Sequence, residues 1–186
     1  MMKLKQVAPL RNSRGLFKPI NLSISPGEIG VIMGPSGVGK SSLLDSIAED
    51  LPYNGSITTK GKFFRVFQET DQLFPWMTVH NNLKLADKNI DWVKLTKRWK
   101  LDVCLDKLPD CCSVGQRQRL TLLRALHSDK DNILCDEPLS GVDKDTAVTI
   151  IDFFKKEVKR TQKQVVWVTH DLNEAKMLGK VTRIKQ

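Results

Sequence analysis

The stretch Gly34-Pro35-Ser36-Gly37-Val38-Gly39-Lys40-Ser41 is where residue type and spacing first suggest chemistry. Glycines at 34, 37 and 39 permit backbone angles and close approaches that a Cβ would obstruct, so successive N–H groups can turn inward on an anion at a helix N-terminus. The pattern fits a phosphate-binding loop set between a strand and a helix. In that reading Lys40 reaches the β- and γ-phosphates of a nucleoside triphosphate, and the Ser41 hydroxyl serves Mg²⁺. Pro35, Ser36, Val38 and Ser42 complete the phosphate-facing set.

Farther along, the apolar run Ile133-Leu134-Cys135 stops at Asp136-Glu137-Pro138. A buried parallel strand whose carboxyl end opens onto a site reads this way. Asp136 is then expected to face the magnesium shell that Ser41 completes, and Glu137 to orient or polarise the attacking water. Alone, an Asp-Glu-Pro triplet is an ordinary exit from strand to loop. Downstream of a complete phosphate loop, the catalytic reading takes precedence.

These residues need elements to position them. Glu28 to Met33 is a short apolar strand leading into the glycine loop, and Ser41 to Asp50 places Leu43, Leu44, Ile47 and Ala48 on one helical face. After Pro52, Asn54 and Gly55, the segments Ser56 to Thr58 and Lys62 to Phe67 read as short strands of an antiparallel lobe. From about Thr78 to Leu108 the pattern is helical, with Trp92, Leu95 and Trp99 on one face. Helical spacing returns at Leu120, Leu123 and Leu126, and again over Ala147, Ile150, Ile151, Phe154 and Val158. Val165 to Thr169 is a further buried strand, ending at His170. The alternation predicts an α/β sheet with helices on both faces.

The 186 residues, 40% of them hydrophobic, suffice for one core and one domain spanning 1–186. No stretch reaches the ~18 to 20 uncharged apolar residues that span a bilayer, and Met1-Met2-Lys3-Leu4-Lys5 leads into no signal-peptide core. A soluble, cytoplasmic protein is expected. Cys104, Cys111, Cys112 and Cys135 lack zinc-site spacing, and the adjacent pair disfavours a strain-free disulfide. Thirty basic against 21 acidic residues give a charge of +9, which suits nucleic acid, an anionic membrane surface or a polyanionic small ligand.

The order of these motifs, over nearly the whole chain, resembles that of the ATPase subunits of ATP-binding cassette (ABC) transporters. The resemblance implies a nucleotide-triphosphatase core with a mostly parallel sheet flanked by helices, a small antiparallel β lobe and a short helical subdomain at about 72–115. Gln68, in Val-Phe-Gln-Glu-Thr, is similar to the family's Q-loop glutamine, implied to contact Mg²⁺ and the attacking water. Leu73-Phe-Pro-Trp-Met-Thr-Val79 with Asn82 is similar to the segment that docks on a membrane partner.

Cys112-Ser113-Val114-Gly115-Gln116 resembles the signature Leu-Ser-Gly-Gly-Gln, retaining the serine, second glycine and glutamine. Ser113 is a good helix N-cap, and the helix it opens presents a positive dipole end to an anion. In the family that anion is the γ-phosphate on the opposite subunit, so a head-to-tail homo- or heterodimer is implied. Val114 replaces a glycine at this contact. Ser140-Gly-Val-Asp143 is similar to the D-loop, and His170, in Thr-His-Asp, to the switch histidine. Where the family stacks an aromatic on adenine, Arg11 falls nearest; its guanidinium is expected to take that place, with Phe17 the alternative.

The implied activity is hydrolysis of ATP with Mg²⁺, coupled to transport through a transmembrane permease subunit on the cytoplasmic face of the inner (plasma) membrane. Two other readings stand beside it. One is a non-transport ABC ATPase acting on nucleic acid or ribosomes, which the +9 charge favours; the missing coiled-coil insertion and second cassette make nucleic acid the disfavoured partner. The other is a nucleotide-binding regulator with little hydrolysis, which the altered signature favours.

Overall fold

The computed structural model describes residues 1–68 and 72–184. Its centre is a parallel sheet of five strands in the order β6 (Phe63–Val66), β7 (Asn132–Asp136), β8 (Gln164–Thr169), β4 (Ile29–Met33) and β9 (Val181–Arg183). Successive residues of these strands point to opposite faces, and both faces are covered. Val165 and Trp167 of β8 join one core cluster, while Val166 and Val168 join the other. The same alternation holds in β7, where Ile133 and Cys135 face one way and Leu134 the other.

The first cluster is closed by α4 (Val114–Leu126) and α5 (Lys144–Thr161). α5 starts where the Asp143 carboxylate accepts from the Thr146 amide at 2.9 Å. It turns Ile150, Ile151, Phe154 and Val158 inward, and Phe154 meets Trp167 edge-on at 5.1 Å. Each such aliphatic side chain contributes about 1.5–3 kcal/mol on burial. The short helix α6 (Leu172–Leu178) closes the same side after the Asp171 side chain accepts from Asn173 and Glu174.

The other cluster holds α1 (Lys40–Ile47) between the main sheet and an antiparallel sheet of β1 (Met2–Arg11), β2 (Arg14–Gly15), β3 (Ile20–Ile24) and β5 (Tyr53–Thr58). Met2 and Leu4 face this core while Lys3 and Lys5 face solvent. The register shifts between Leu4 and Val7, at a bulge where Gln6 has φ 50°. β1 and β2 are joined by a tight turn in which Asn12 and Ser13 have φ 50° and 62°. Positive angles at both central positions match the twist of a two-residue hairpin.

Two sequence expectations are corrected. Lys62 to Phe67 does not join the antiparallel lobe: β6 pairs in parallel with β7, Val66 opposite Cys135. Phe64 and Val66 pack toward the α4 side and Phe63 toward the α1 side, so the strand carries apolar groups on both faces as a two-sided sheet demands. The expected helical run from Thr78 to Leu108 is helical only over α2 (Val79–Lys84) and α3 (Trp92–Arg98). Asp87, Asn89 and Asp91 hold the chain between them through local side-chain and backbone bonds, including Trp92 Nε1 to the Asp87 carbonyl at 2.9 Å. Trp92, Leu95 and Trp99 are nevertheless buried as the spacing predicts.

Candidate active site

Three neighbouring strands end at one edge of the main sheet. β4 runs into the glycine loop, β7 into Asp136-Glu137, and β8 into His170. The register pairs Met33 with Thr169 and Asp136 with Val168, so these exits lie at one level. Crevices beyond the carboxyl ends of parallel strands are where such sheets hold ligands.

Pro35, Ser36, Gly37 and Ser41 are exposed, which leaves the loop open as a cradle, while Val38 is buried beneath it. Gly39 caps α1 at φ 104°, and a Cβ there would come within 3.0 Å of Leu16 Cδ1 and 3.5 Å of Phe17 Cδ1. Glycine is needed for that angle and that approach. The Lys40 ammonium curls back to the carbonyls of Gly34 and Pro35, each at 2.9 Å, and to Glu137 Oε1 at 3.0 Å. It therefore sits across the cradle.

Glu137 has φ 45°, an unusual angle for a residue with a Cβ. Its amide donates to the Val168 carbonyl at 3.0 Å, and its two carboxylate oxygens meet Lys40 and, at 2.6 Å, His170 Nδ1. The strained backbone thus aims one carboxylate at Lys40, which opens α1, and at His170, which follows β8. Burial raises the Asp136 carboxyl above the ordinary aspartate value; the Ser41 hydroxyl bond opposes this, the Glu137 charge adds to it, and Arg65 and Lys40 pull it back. Ser41 and Asp136 are therefore in contact, with two carboxylates side by side. A hydroxyl and a partly buried carboxylate suit a hard divalent cation such as Mg²⁺.

Gln68 leaves β6 at the same edge, and its Nε2 lies 3.4 Å from the Ser140 hydroxyl. The Glu69-Thr70 part of its motif lies outside the described residues. Ser140 also receives Gln118 Nε2 on its carbonyl at 3.1 Å, a tie to α4 that sequence reasoning missed because a glutamine in mid-helix carries no signal. Arg65, bonded to Asp45 of α1, was likewise unforeseen.

Ser113 is the N-cap expected of it. Its hydroxyl accepts from the Gln116 amide at 3.2 Å, and Gln116 Oε1 accepts from the Ser113 amide at 2.7 Å, a reciprocal capping box. Gln116 Nε2 donates to the Asp102 carbonyl at 2.9 Å, so its side chain is engaged at both ends. Ser113 and Val114 are exposed, while Gly115 faces Thr146 of α5. Arg11 is exposed at the hairpin tip, across from Arg14, and Phe17 is buried beside Gly39.

With that geometry established, residues 17–140 match the ABC transporter family. The chain belongs to the ABC transporter family. It is similar to the aliphatic sulfonates import ATP-binding protein SsuB 2 of Pseudomonas syringae pv. tomato, 38% identical over 166 residues that cover 86% of this chain and 71% of that protein. It is 30% identical to the glycine betaine/carnitine/choline transport ATP-binding protein OpuCA of Bacillus subtilis, over all of this chain and 55% of that protein. The dimeric, post-hydrolysis ABC cassette MJ0796 bound to ADP and Pi superposes with a TM-score of 0.78 at 28% identity, over 100% of this chain and 94% of that one. A Pyrococcus furiosus ABC transporter ATP-binding protein superposes at 0.82 with 18% identity, covering 98% of this chain and 96% of that one, and shows the shared fold. This ABC subunit binds and hydrolyses ATP to power a transporter. Among the described residues no helix is long and apolar enough to cross a membrane.

Proposed function

We propose that this ABC subunit hydrolyses Mg·ATP at the edge where Lys40, Asp136, Glu137 and His170 converge, and that it serves an importer by acting on a transmembrane permease at the cytoplasmic face of the inner membrane. The observation that carries the reading is Glu137 held between Lys40 and His170. On binding, the γ-phosphate displaces Glu137 from the Lys40 ammonium, and the loop N–H groups between Ser36 and Ser42 donate to the remaining oxygens. Ser41 and Asp136, with Gln68 beside them, would hold Mg²⁺. Mg²⁺ supplies charge neutralisation on the phosphates. The freed Glu137 carboxylate orients the attacking water, and His170 holds that carboxylate while facing the γ-phosphate.

Ser113, Gly115 and Gln116 complete the site of a second cassette, homo- or heteromeric, at the positive end of α4. The dimeric state of the MJ0796 cassette supports this arrangement. Arg11 lies on the base, since the hairpin that carries it returns through Leu16 and Phe17 to the glycine loop. The import direction follows the relatives named as sulfonate import proteins. The exposed Phe74 and Trp76 rings, 5.3 Å apart, are the permease-facing surface of a helical subdomain at about 72–115.

The test is extraction of native membranes with a tagged subunit, followed by phosphate-release assay of the recovered complex. A permease should co-purify, with hydrolysis that requires Mg²⁺. Recovery of nucleic acid with no membrane protein, or absence of Mg²⁺-dependent nucleotide affinity, would overturn the reading.

A further inference from the structure

Two cysteines stand immediately before the signature serine, and nothing in the proposed cycle uses them. Cys111 ends the 3-10 turn Pro109–Cys111 and is exposed; Cys112 is 5% exposed and belongs to the core cluster beneath α4. Their sulfurs are 4.0 Å apart. The Cys112 backbone is held at both ends, its amide donating to the Pro109 carbonyl at 3.0 Å and its carbonyl accepting from Arg117 Nη1 at 2.6 Å. The next residue is Ser113, whose cap opens α4.

A disulfide needs sulfurs about 2.05 Å apart and Cα atoms about 4.4–6.8 Å apart, whereas neighbouring Cα atoms across a trans peptide lie about 3.8 Å apart. Closing this pair therefore means bringing the Cys112 sulfur toward the exposed Cys111 sulfur and distorting the backbone that leads into Ser113. A bond under that strain is of the easily reduced kind. We infer that Cys111 and Cys112 form a reversible thiol modification site, at which a peroxide converts the pair to a vicinal disulfide and pulls Ser113 out of its capping position.

The chemistry balances. The exposed Cys111 sulfur takes one oxygen from hydrogen peroxide, giving a sulfenic acid and one water. The Cys112 sulfur then attacks the Cys111 sulfur; the S–S bond forms, the S–O bond breaks, and the departing hydroxide leaves with the Cys112 proton as a second water. Two thiols are oxidised and one peroxide is reduced. Burial, with the neighbouring Cys111 adding to it, holds the Cys112 thiol up at about 11, so the buried member keeps its proton until that second step. The effect on turnover rests on the role proposed for Ser113 in the partner cassette's site; the thiol chemistry does not.

The experiment uses the full chain carrying Cys104→Ser, which removes the other exposed thiol, with and without Cys111→Ser. After hydrogen peroxide treatment, peptide mass spectrometry should find the peptide spanning 111–112 lighter by two hydrogens and closed to alkylation. Hydrogen exchange at the Gln116 amide should rise, and dithiothreitol should reverse it. ATP hydrolysis should fall at least about tenfold, as on loss of a donor to developing phosphate charge, while ATP affinity changes less than about twofold. The Cys111→Ser protein should show none of these changes. Sulfinic or sulfonic acid at Cys111 without ring closure, a disulfide between two chains, or a closed ring with unaltered Gln116 exchange would each overturn the inference. If untreated protein hydrolyses no ATP while mass and exchange shift as expected, the modification site stands and the proposed catalytic reading fails.

Discussion

The Nζ of Lys40 lies 3.0 Å from Oε1 of Glu137, and the lysine side chain is only 4% exposed. The ammonium proposed to hold phosphate and the carboxylate proposed to orient water thus neutralise each other. In the proposed cycle phosphate binding and release of the carboxylate are one exchange, and Glu137 Oε2 starts it on His170 Nδ1. Replacing Glu137 with Gln keeps the shape and removes the charge that competes for Lys40. ATP affinity should hold or rise, turnover should fall by about 10²–10⁴-fold, and the nucleotide-bound dimer should persist longer. Phosphate release and size-exclusion chromatography with ATP measure these, and unchanged turnover would take the role away from Glu137.

Lys40→Ala removes the one ammonium that spans the Gly34 and Pro35 carbonyls and Glu137. A charged hydrogen bond contributes about 1.5–3 kcal/mol, so ATP affinity should drop roughly 10- to 150-fold. The loop is open to water, so its freed carbonyls find new partners and the fold should survive. Equilibrium titration with a fluorescent ATP analogue, beside a thermal melt, separates lost affinity from unfolding.

Asn82 is fully buried and ties down the segment proposed to meet the permease. Its Oδ1 accepts from the Phe74 amide at 2.7 Å, and its Nδ2 lies within 3.1 Å of the carbonyls of Phe74, Met77 and Thr78. Asn82→Ala should destabilise the chain by about 1–3 kcal/mol, because buried backbone groups lose their partner. Denaturant unfolding gives that figure. ATP affinity should stay as it was while transport in the assembled complex falls; transport at the original rate would show that the tie is structural alone.

His127 follows α4, with a side chain 5% exposed, edge-on to Trp92 at 5.6 Å and with Nε2 3.3 Å from Glu157 Oε1. Burial lowers it below the ordinary 6.5; Glu157 pulls it up, and Arg160 and Lys163 push it further down. The unfolded chain takes the proton first, so this contribution to stability is complete above 6.5 and is lost as pH falls through the lower folded value. Unfolding midpoints measured from neutral to mildly acidic pH should decline, and His127→Gln should flatten the decline. Parallel curves for the two proteins would place the acid sensitivity elsewhere.

Much of this was legible from local pattern. The spacing of Ile150, Ile151, Phe154 and Val158 names the buried face of α5, and Ser113 with Gln116 announces a capped helix start. β1 was not legible, because its bulge at Gln6 breaks the alternation that would have marked it. Phe63–Val66 was assigned to the wrong sheet, since a short apolar run carries no record of which strand it pairs with. Arg124 escaped notice as one more basic residue on a helix. It is 7% exposed and stands over the rings of Phe64 and Phe74, 5.6 and 5.7 Å from their centres.

By itself the sequence determined the glycine cradle with its lysine, the acidic end of an apolar strand, the histidine after another, and the α/β class, because each is written in residues close together along the chain. Only the tertiary structure decided that β4, from the first part of the chain, lies beside β8, from the last, with β7 on the other side of β8, which brings Glu137 between Lys40 and His170. Strand order and facing are set by which apolar faces bury one another across the whole molecule, and no local window of sequence contains that information.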